Sequence, residues 1–209
     1  LISLSNLTDE RMRFAKHGEW WVTNGQRSLS NNSVCYTERP DAGVFMREWE
    51  SLYSSKSGER GLFSRVAAQE QAARSGRRDS SFEFGTNPCS EIILRPNQFC
   101  NLSECVVRAE DNPSTLKDKV RLATVLGTLQ STLVNFRYLS PKWQRNTAEE
   151  RLLGVSLTGI MDNSTLNVPS DLCGDILEQL KEEAIRTNAS VSSLLSIPPS
   201  TAITCVKPS

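Results

Sequence analysis

The chain has 209 residues, of which 38% are hydrophobic, and its 24 basic side chains balance 24 acidic ones. This length allows one substantial hydrophobic core. A net charge of zero creates no field that would attract nucleic acid or an anionic lipid surface. No run of 18 apolar residues is present that would span a membrane. We therefore expect a cytoplasmic protein that binds neither nucleic acid nor membrane.

Helical patterns alternate with short apolar stretches along the chain, which predicts an α/β architecture. Thr8 and Ser64 are the predicted N-caps of the first and third helices, and Gly18 and Gly76 mark where these helices end. The predicted helices cover residues 8–16, 42–54, 64–74 and 114–136, with another from Pro169-Ser170 to near Val191. The predicted strands lie at residues 34–36, 92–94 and 202–206.

Spacings of three and four residues indicate which faces of these helices are apolar. In helix 114–136 we expect one core-facing stripe, and in helix 42–54 and the helix after Ser170 one apolar side each. The basic residues Arg74, Arg77 and Arg78 indicate a solvated helix end, with a phosphate or partner contact as the alternative. The three apolar sets are Leu116, Val120, Ala123, Leu126, Leu129 and Leu133; Val44, Phe45, Trp49 and Leu52; and Leu172, Cys173, Ile176, Leu177, Leu180 and Ala184.

The six cysteines do not have the spacing of a secreted disulfide scaffold or of a zinc site. No Cys-x-x-Cys pair occurs, and His17 is the single histidine. We predict no metal site. Cys35, Cys105, Cys173 and Cys205 lie in apolar contexts that are typical of buried core cysteines.

A thiol, a carboxylate and a carboxamide cluster at Asn87-Pro88-Cys89-Ser90-Glu91, and Cys100 follows eleven residues after Cys89. Alternate residues of an extended segment share a face, so an extended loop would place Asn87, Cys89 and Glu91 on one side. Burial beside the apolar residues 92–94 would make Glu91 a stronger base near neutral pH. The alternative is a solvent-exposed charge at the end of a strand.

The same residues, with Cys100-Asn101-Leu102, resemble the finger-loop region of ribonucleotide reductases, specifically the adenosylcobalamin-dependent (class II), ribonucleoside-triphosphate type. Other motifs of that family recur in order, and together they cover essentially the whole chain. These motifs are residues 29–33, 57–61, Arg145-Asn146-Thr147, Leu153-Gly154-Val155 and 202–209.

The resemblance implies a partial ten-stranded α/β barrel of the ribonucleotide reductase and glycyl radical enzyme type. Residues 1–209 would form one incomplete barrel segment, with a central finger loop at about 85–92 and the start of a phosphate loop at 207–209. Pro208 and Ser209 would bind the substrate phosphates.

The resemblance also implies a distinct role for each residue of the cluster. Cys89 would carry the thiyl radical that removes the 3′ hydrogen of the ribose. Glu91 would take the 3′-hydroxyl proton, and Asn87 would hold the ribose hydroxyls. Cys100 would be half of a redox-active disulfide, with its partner upstream of Leu1. The cofactor would be adenosylcobalamin, and the partners a ribonucleotide substrate, a deoxynucleotide effector and a thioredoxin-type reductant.

The ends of the sequence differ from ordinary domain borders, which usually fall in polar linkers. Leu1 lies within an apolar alternation, and the phosphate-loop motif breaks off at Ser209. We expect a segment of a longer polypeptide with little activity alone; a processed mature chain is the alternative. Two other functions remain open, namely a thiol–disulfide module using Cys89 and Cys100 and a noncatalytic α/β fragment.

Overall fold

The computed structural model describes residues 2–88 and 90–205. The chain divides into two compact units, Leu1–Pro96 and Asn97–Ser209. Each unit contains one three-stranded parallel sheet, and the first also contains a two-stranded antiparallel hairpin. This confirms the α/β class, whereas the ten-stranded barrel stays a prediction.

In the first unit, residues 2–88 and 90–96 form five strands and four helices. The strands are β1 (Ile2–Ser5), β2 (Asn31–Tyr36), β3 (Gly61–Ser64), β4 (Gly85–Thr86) and β5 (Ile93–Leu94), and the helices are α1 (Glu10–Arg13), α2 (Trp20–Thr23), α3 (Ala42–Ser55) and α4 (Arg65–Ser75).

In the second unit, the described residues 97–205 form three strands and three helices. These are β6 (Asn101–Val106), β7 (Leu153–Thr158) and β8 (Ile203–Cys205), with α5 (Pro113–Gln130), α6 (Pro141–Glu150) and α7 (Asp171–Leu194). Short 3₁₀ turns occur at Gly25–Leu29 in the first unit and Ile160–Asp162 in the second.

The sheet of the first unit has the order β1-β2-β3, with Ile2 opposite Asn31 and Val34 opposite Leu62. A small apolar cluster lies on it, formed by Phe63, Phe84 and two alanines of α4. As predicted, Ser64 caps α4 by accepting from the Ala67 N–H, and Gly76 ends the helix with φ +62°.

Charged side chains fill much of the remaining interior of this unit. Glu48 of α3 is 1% exposed and accepts hydrogen bonds from Arg60 Nε at 3.1 Å and Arg60 Nη2 at 2.8 Å. Arg13 also donates to Glu48. Burial acts to raise the pKa of Glu48, but the hydrogen bonds and charges of Arg60 and Arg13 outweigh it and lower the pKa. We call Arg13, Glu48 and Arg60 the ion cluster.

Glu59, just before β3, forms a second ion pair with Lys16 and also accepts a hydrogen bond from β2. Lys16 Nζ lies 2.7 Å from Glu59 Oε1, and Glu59 Oε2 accepts from the Asn32 N–H at 2.9 Å. Glu59 and Arg60 belong to the motif Ser57-Gly58-Glu59-Arg60-Gly61. In this structure the two charged residues of that motif connect elements of the first unit.

The sheet of the second unit has the order β6-β7-β8, all parallel, with Asn101 opposite Leu153 and Leu153 opposite Ile203. Helices α5 and α7 pack against each other beside it. The apolar cluster beside this sheet is larger than that of the first unit. It includes Val107, Leu116, Val120, Leu153, Val155, Leu157, Ile176, Leu180 and Ala184, together with Cys105 and Cys173 as predicted.

The predicted stripe of α5 is correct only in its first half. Leu116, Val120 and Ala123 are buried, but Leu126 is 61% exposed and Leu129 is 46% exposed. The helix ends at Gln130, so Leu133 lies beyond it and is 71% exposed. The buried positions in the second half are instead Thr124, Gly127 and Thr128.

The threonine hydroxyls of α5 donate to the helix's own carbonyls, from Thr124 to Val120 and from Thr128 to Thr124, each at 2.7 Å. These donors are satisfied locally, so the side chains are buried without losing a hydrogen bond.

Other helices also differ in detail from their predicted form. Helix α1 is shorter than predicted and is capped by Asp9 rather than Thr8. On α3, Phe45 and Trp49 are 39% and 51% exposed, because this helix directs Glu48 inward. Helix α7 continues past Val191 to Leu194, and its first leucine, Leu172, is 60% exposed. Within the described ranges, no helix has the length and apolar character needed to cross a membrane.

Candidate active site

The predicted finger loop is a β-hairpin in the first unit. Strands β4 and β5 pair antiparallel, with Gly85 opposite Leu94 and Thr86 opposite Ile93. Residues 87–92 join them. Cys89 falls outside the described residues, so its predicted role stays a prediction. Asn87 and Glu91 lie within this loop on either side of Cys89, and both belong to the described residues.

The described residues of this loop form turn hydrogen bonds and do not follow the extended path that we predicted. Asn87 Oδ1 accepts from the Ile92 N–H at 3.0 Å, and the Asn87 N–H donates to the Ile92 carbonyl at 3.2 Å. The Ser90 N–H donates to the Asn87 carbonyl at 3.0 Å, and Ser90 has φ +64°. The left-handed Ser90 interrupts the two-residue alternation of an extended segment, so that alternation does not place Asn87 and Glu91 on one face.

Glu91 is half-buried, and its Oε2 is fully buried with no hydrogen-bond partner among residues 2–88 and 90–205. Buried carboxylate oxygens almost always accept hydrogen bonds, because an unpaired buried polar atom is strongly unfavourable. The arrangement therefore differs from the solvent-exposed strand-end charge that was the alternative. An oxygen in this position calls for a donor that residues 2–88 and 90–205 do not supply.

Two arginines hold the hairpin stem. Arg78 is buried, donates from Nη1 to the Ile93 carbonyl at 2.9 Å and places its guanidinium 4.5 Å from the Phe84 ring centroid. Arg65 Nε donates to the Phe84 carbonyl at 2.9 Å. The prediction that Arg78 belongs to a solvated helix end is therefore wrong, because its charge is used to fix β5. Its sequence context gave no signal of this contact.

Cys100 is half-buried and lies in the second unit, directly before β6. Pro208 and Ser209 fall outside the described residues. Their predicted phosphate contacts stay predictions.

The remaining cysteines agree in part with their predicted core positions. Cys35 is half-buried and packs beside Phe63 and Phe84. Burial raises the pKa of its thiol, and the charge of Arg65 offsets this only in part, so Cys35 is a weak nucleophile. The side chain of Cys205 is not described. No group of three or more His, Cys, Asp and Glu side chains suited to a metal ion occurs in the described part of the chain.

Comparison of sequences finds a curated relative. Over 172 residues, the chain is 33% identical to the "Adenosylcobalamin-dependent ribonucleoside-triphosphate reductase" of Lacticaseibacillus paracasei. The match covers 77% of this chain and 21% of the relative, so the chain spans about a fifth of that protein's length. No family model matches the sequence.

Comparison of folds finds a solved structure of a B12-dependent (class II) ribonucleotide reductase. The TM-score is 0.71 at 20% sequence identity, and the match covers 97% of this chain and 31% of the solved one. At this identity the likeness is one of fold.

Proposed function

Because the chain is homologous to part of the adenosylcobalamin-dependent (class II) ribonucleotide reductases, we propose that it reduces ribonucleotides to 2′-deoxyribonucleotides. Ribonucleoside triphosphates are the proposed substrates. The observation that best supports a catalytic role is the buried Glu91 Oε2, which has no donor among the described residues. A ribose hydroxyl is a donor of the kind that this oxygen lacks.

The first proposed step takes place at C3′ of the ribose. A thiyl radical on Cys89 removes the 3′ hydrogen atom, so an S–H bond forms as the C3′–H bond breaks. Glu91 accepts the proton of the 3′-hydroxyl, which strengthens electron donation from that oxygen. Asn87 Oδ1 already accepts from the loop's own N–H, so the Nδ2 donors of Asn87 are the groups to offer a ribose hydroxyl.

The second proposed step removes the 2′-hydroxyl as water. Cys100 and an upstream cysteine together supply two electrons and two protons and become a disulfide. Glu91 then returns its proton to the 3′ oxygen and Cys89 returns its hydrogen atom to C3′, which restores the 3′-hydroxyl and regenerates the thiyl radical. The overall change is a ribonucleotide plus a dithiol giving a deoxyribonucleotide, a disulfide and water.

The remaining components of the reaction are also proposals. Adenosylcobalamin, named in the relative's description, supplies radical chemistry when bound. We assign it no contacts, since no described residue identifies its site. Pro208 and Ser209 would receive the substrate phosphates. A thioredoxin-type reductant would reopen the disulfide, a deoxynucleotide would act as effector, and the reaction would take place in the cytoplasm.

A chimera tests this function, because the chain spans only part of its relative. In the Lacticaseibacillus paracasei reductase, the matched segment is replaced by this chain, and deoxynucleotide formation is measured with adenosylcobalamin and a dithiol. We expect Glu91→Gln to lower kcat by about 10²- to 10⁴-fold, the usual contribution of a general base, with substrate affinity nearly unchanged.

Glu83→Gln is the matched control, since Glu83 is exposed and lies just before the same hairpin. We expect it to retain the activity of the unsubstituted chimera. A chimera that folds cooperatively but forms no deoxynucleotide would contradict the proposal. So would nucleotide-independent exchange between Cys89 and Cys100 as the sole reaction, the result that a thiol–disulfide module predicts.

A further inference from the structure

The residues on both sides of Cys100 are attached to helix α6 and to the turn that follows it. Gln98 is 4% exposed, and its Nε2 donates to the Asn146 carbonyl at 3.1 Å and to Glu150 Oε2 at 2.5 Å. Glu150 is itself 4% exposed. A buried amide that donates to a buried carboxylate forms a charge-assisted hydrogen bond, the stronger kind.

The next residue toward Cys100 is held through its backbone and its ring. The Phe99 N–H donates to Thr147 Oγ1 at 3.3 Å, and Thr147 is 3% exposed. The Phe99 ring centroid lies 4.6 Å from that of Trp143 and 5.0 Å from that of Phe136. These distances are within the range of favourable aromatic pairs.

On the other side of Cys100, Asn101 contacts the chain just after α6. Its N–H and its Nδ2 both donate to the Leu152 carbonyl, at 2.9 Å and 3.1 Å. Contacts of Gln98, Phe99 and Asn101 therefore hold the chain on both sides of the half-buried Cys100. Asn146 and Thr147 belong to the motif Arg145-Asn146-Thr147, for which the sequence alone suggested no role.

We propose that Gln98 and Thr147 are positioning residues for the Cys100 thiol. Neither needs to touch the substrate. Their hydrogen bonds fix the backbone next to Cys100 against α6. The Cys100 sulfur is thereby held in one position. Small displacements of a reacting group lower rates strongly, so a reducing thiol benefits from such a support. This inference rests on the proposed function for its purpose, but its geometry can be tested without nucleotide.

The test measures how fast iodoacetamide alkylates individual cysteines in the 209-residue chain, by mass spectrometry of the peptides. Gln98→Leu removes both Nε2 hydrogen bonds. We expect alkylation of Cys100 to accelerate about 25-fold, because the loss of each hydrogen bond shifts a local opening equilibrium by about fivefold. Gln144→Leu is the matched control, because Gln144 is exposed on the same helix. It should leave the rate at Cys100 unchanged.

Two buried cysteines of the same unit, Cys105 and Cys173, report general unfolding. Acceleration at Cys100 alone supports a positioning role. Equal acceleration at Cys100, Cys105 and Cys173 would overturn it, because Gln98 would then only stabilise the unit. An unchanged rate at Cys100 would also overturn it.

Thr147→Val is a second, smaller change that removes only the acceptor of the Phe99 N–H. It should accelerate Cys100 in the same direction without exposing Cys105. In the chimera, either substitution should lower kcat and leave KM unchanged, and an effect confined to KM would contradict the proposal. The alkylation rates do not depend on reductase activity, so a failure of the proposed function is recognised separately.

Discussion

The two parallel sheets are alike in strand number and direction, but they are supported by different interactions. The first is joined to its surroundings by the buried ion cluster and the Lys16–Glu59 pair. The second rests against an apolar core formed with α5 and α7. The stability of the first unit should therefore depend on charge, and that of the second on packing. The hairpin that carries Glu91 belongs to the charge-dependent unit.

Among the changes that test this comparison, Glu48→Gln should destabilise its unit the most. It removes the negative charge between two arginines while leaving Arg60 buried. Breaking a buried ion pair in this way typically lowers the free energy of unfolding by about 3–5 kcal/mol. Hydrogen exchange at the amides of β2 and β3 would measure it. Glu50→Gln on the exposed side of the same helix is the control, and equal effects of the two changes would contradict the role of the cluster.

Leu180→Ala should weaken the second unit by a similar or smaller amount. Leu180 is 2% exposed within the apolar core, and such truncations lower the free energy of unfolding by about 2–5 kcal/mol. Leu172→Ala, at a 60% exposed position of the same helix, should change it by less than about 0.5 kcal/mol. Exchange at the β7 amides gives the measurement. If the β2 amides lost protection equally, the two units would not be independently supported.

Lowering the pH should produce the smallest of these changes in the free energy of unfolding. Acid neutralises the Glu48 carboxylate in the folded chain, but it protonates the same group in the unfolded chain as well. The folded-state pKa of Glu48 is lowered, so its contribution to stability is complete above the ordinary value of 4.5 and is lost as the pH falls through the lowered value. We expect β2 protection to decline with acid in the original chain and to decline less in Glu48→Gln. Identical pH profiles would show that Glu48 is not responsible.

The sequence predicted the elements whose ends carry local chemical signals. Helix α4 is the clearest case, since the hydroxyl of Ser64 and the left-handed freedom of Gly76 both act within a few residues. The boundaries of α3 were also close to those observed. Capping depends on neighbouring backbone groups, which a sequence displays directly.

Burial was harder to predict than helix formation. Periodicity shows which side chains share a face, but it does not show whether that face meets the core. The outward Leu126 and the inward Thr128 of α5 illustrate this limit, as do the outward Trp49 and the inward Glu48 of α3. In both helices, polar side chains occupy the interior because partners distant in sequence, or the helix's own carbonyls, satisfy them.

The roles of the predicted site residues stay predictions, whereas the conformation around Asn87 and Glu91 differs from the one that the sequence indicated. The residue types at Asn87 and Glu91 indicated polar chemistry, but a left-handed serine between them is not a pattern that sequence reveals. Long-range attachments, such as Arg78 to β5 and Thr147 to Phe99, depend on folding that brings separate segments together. Their roles became apparent from the contacts.

The registers of the two sheets also bear on the order in which the units can assemble. In the first sheet Ile2 pairs with Asn31 and the last strand ends at Ser64, whereas in the second Asn101 pairs with Leu153 and the last strand ends at Cys205. Longer separations between paired strands slow folding, and domains emerging first from the ribosome fold first. The ion cluster can therefore form during synthesis, before the ribosome has released helix α6, which supports Cys100.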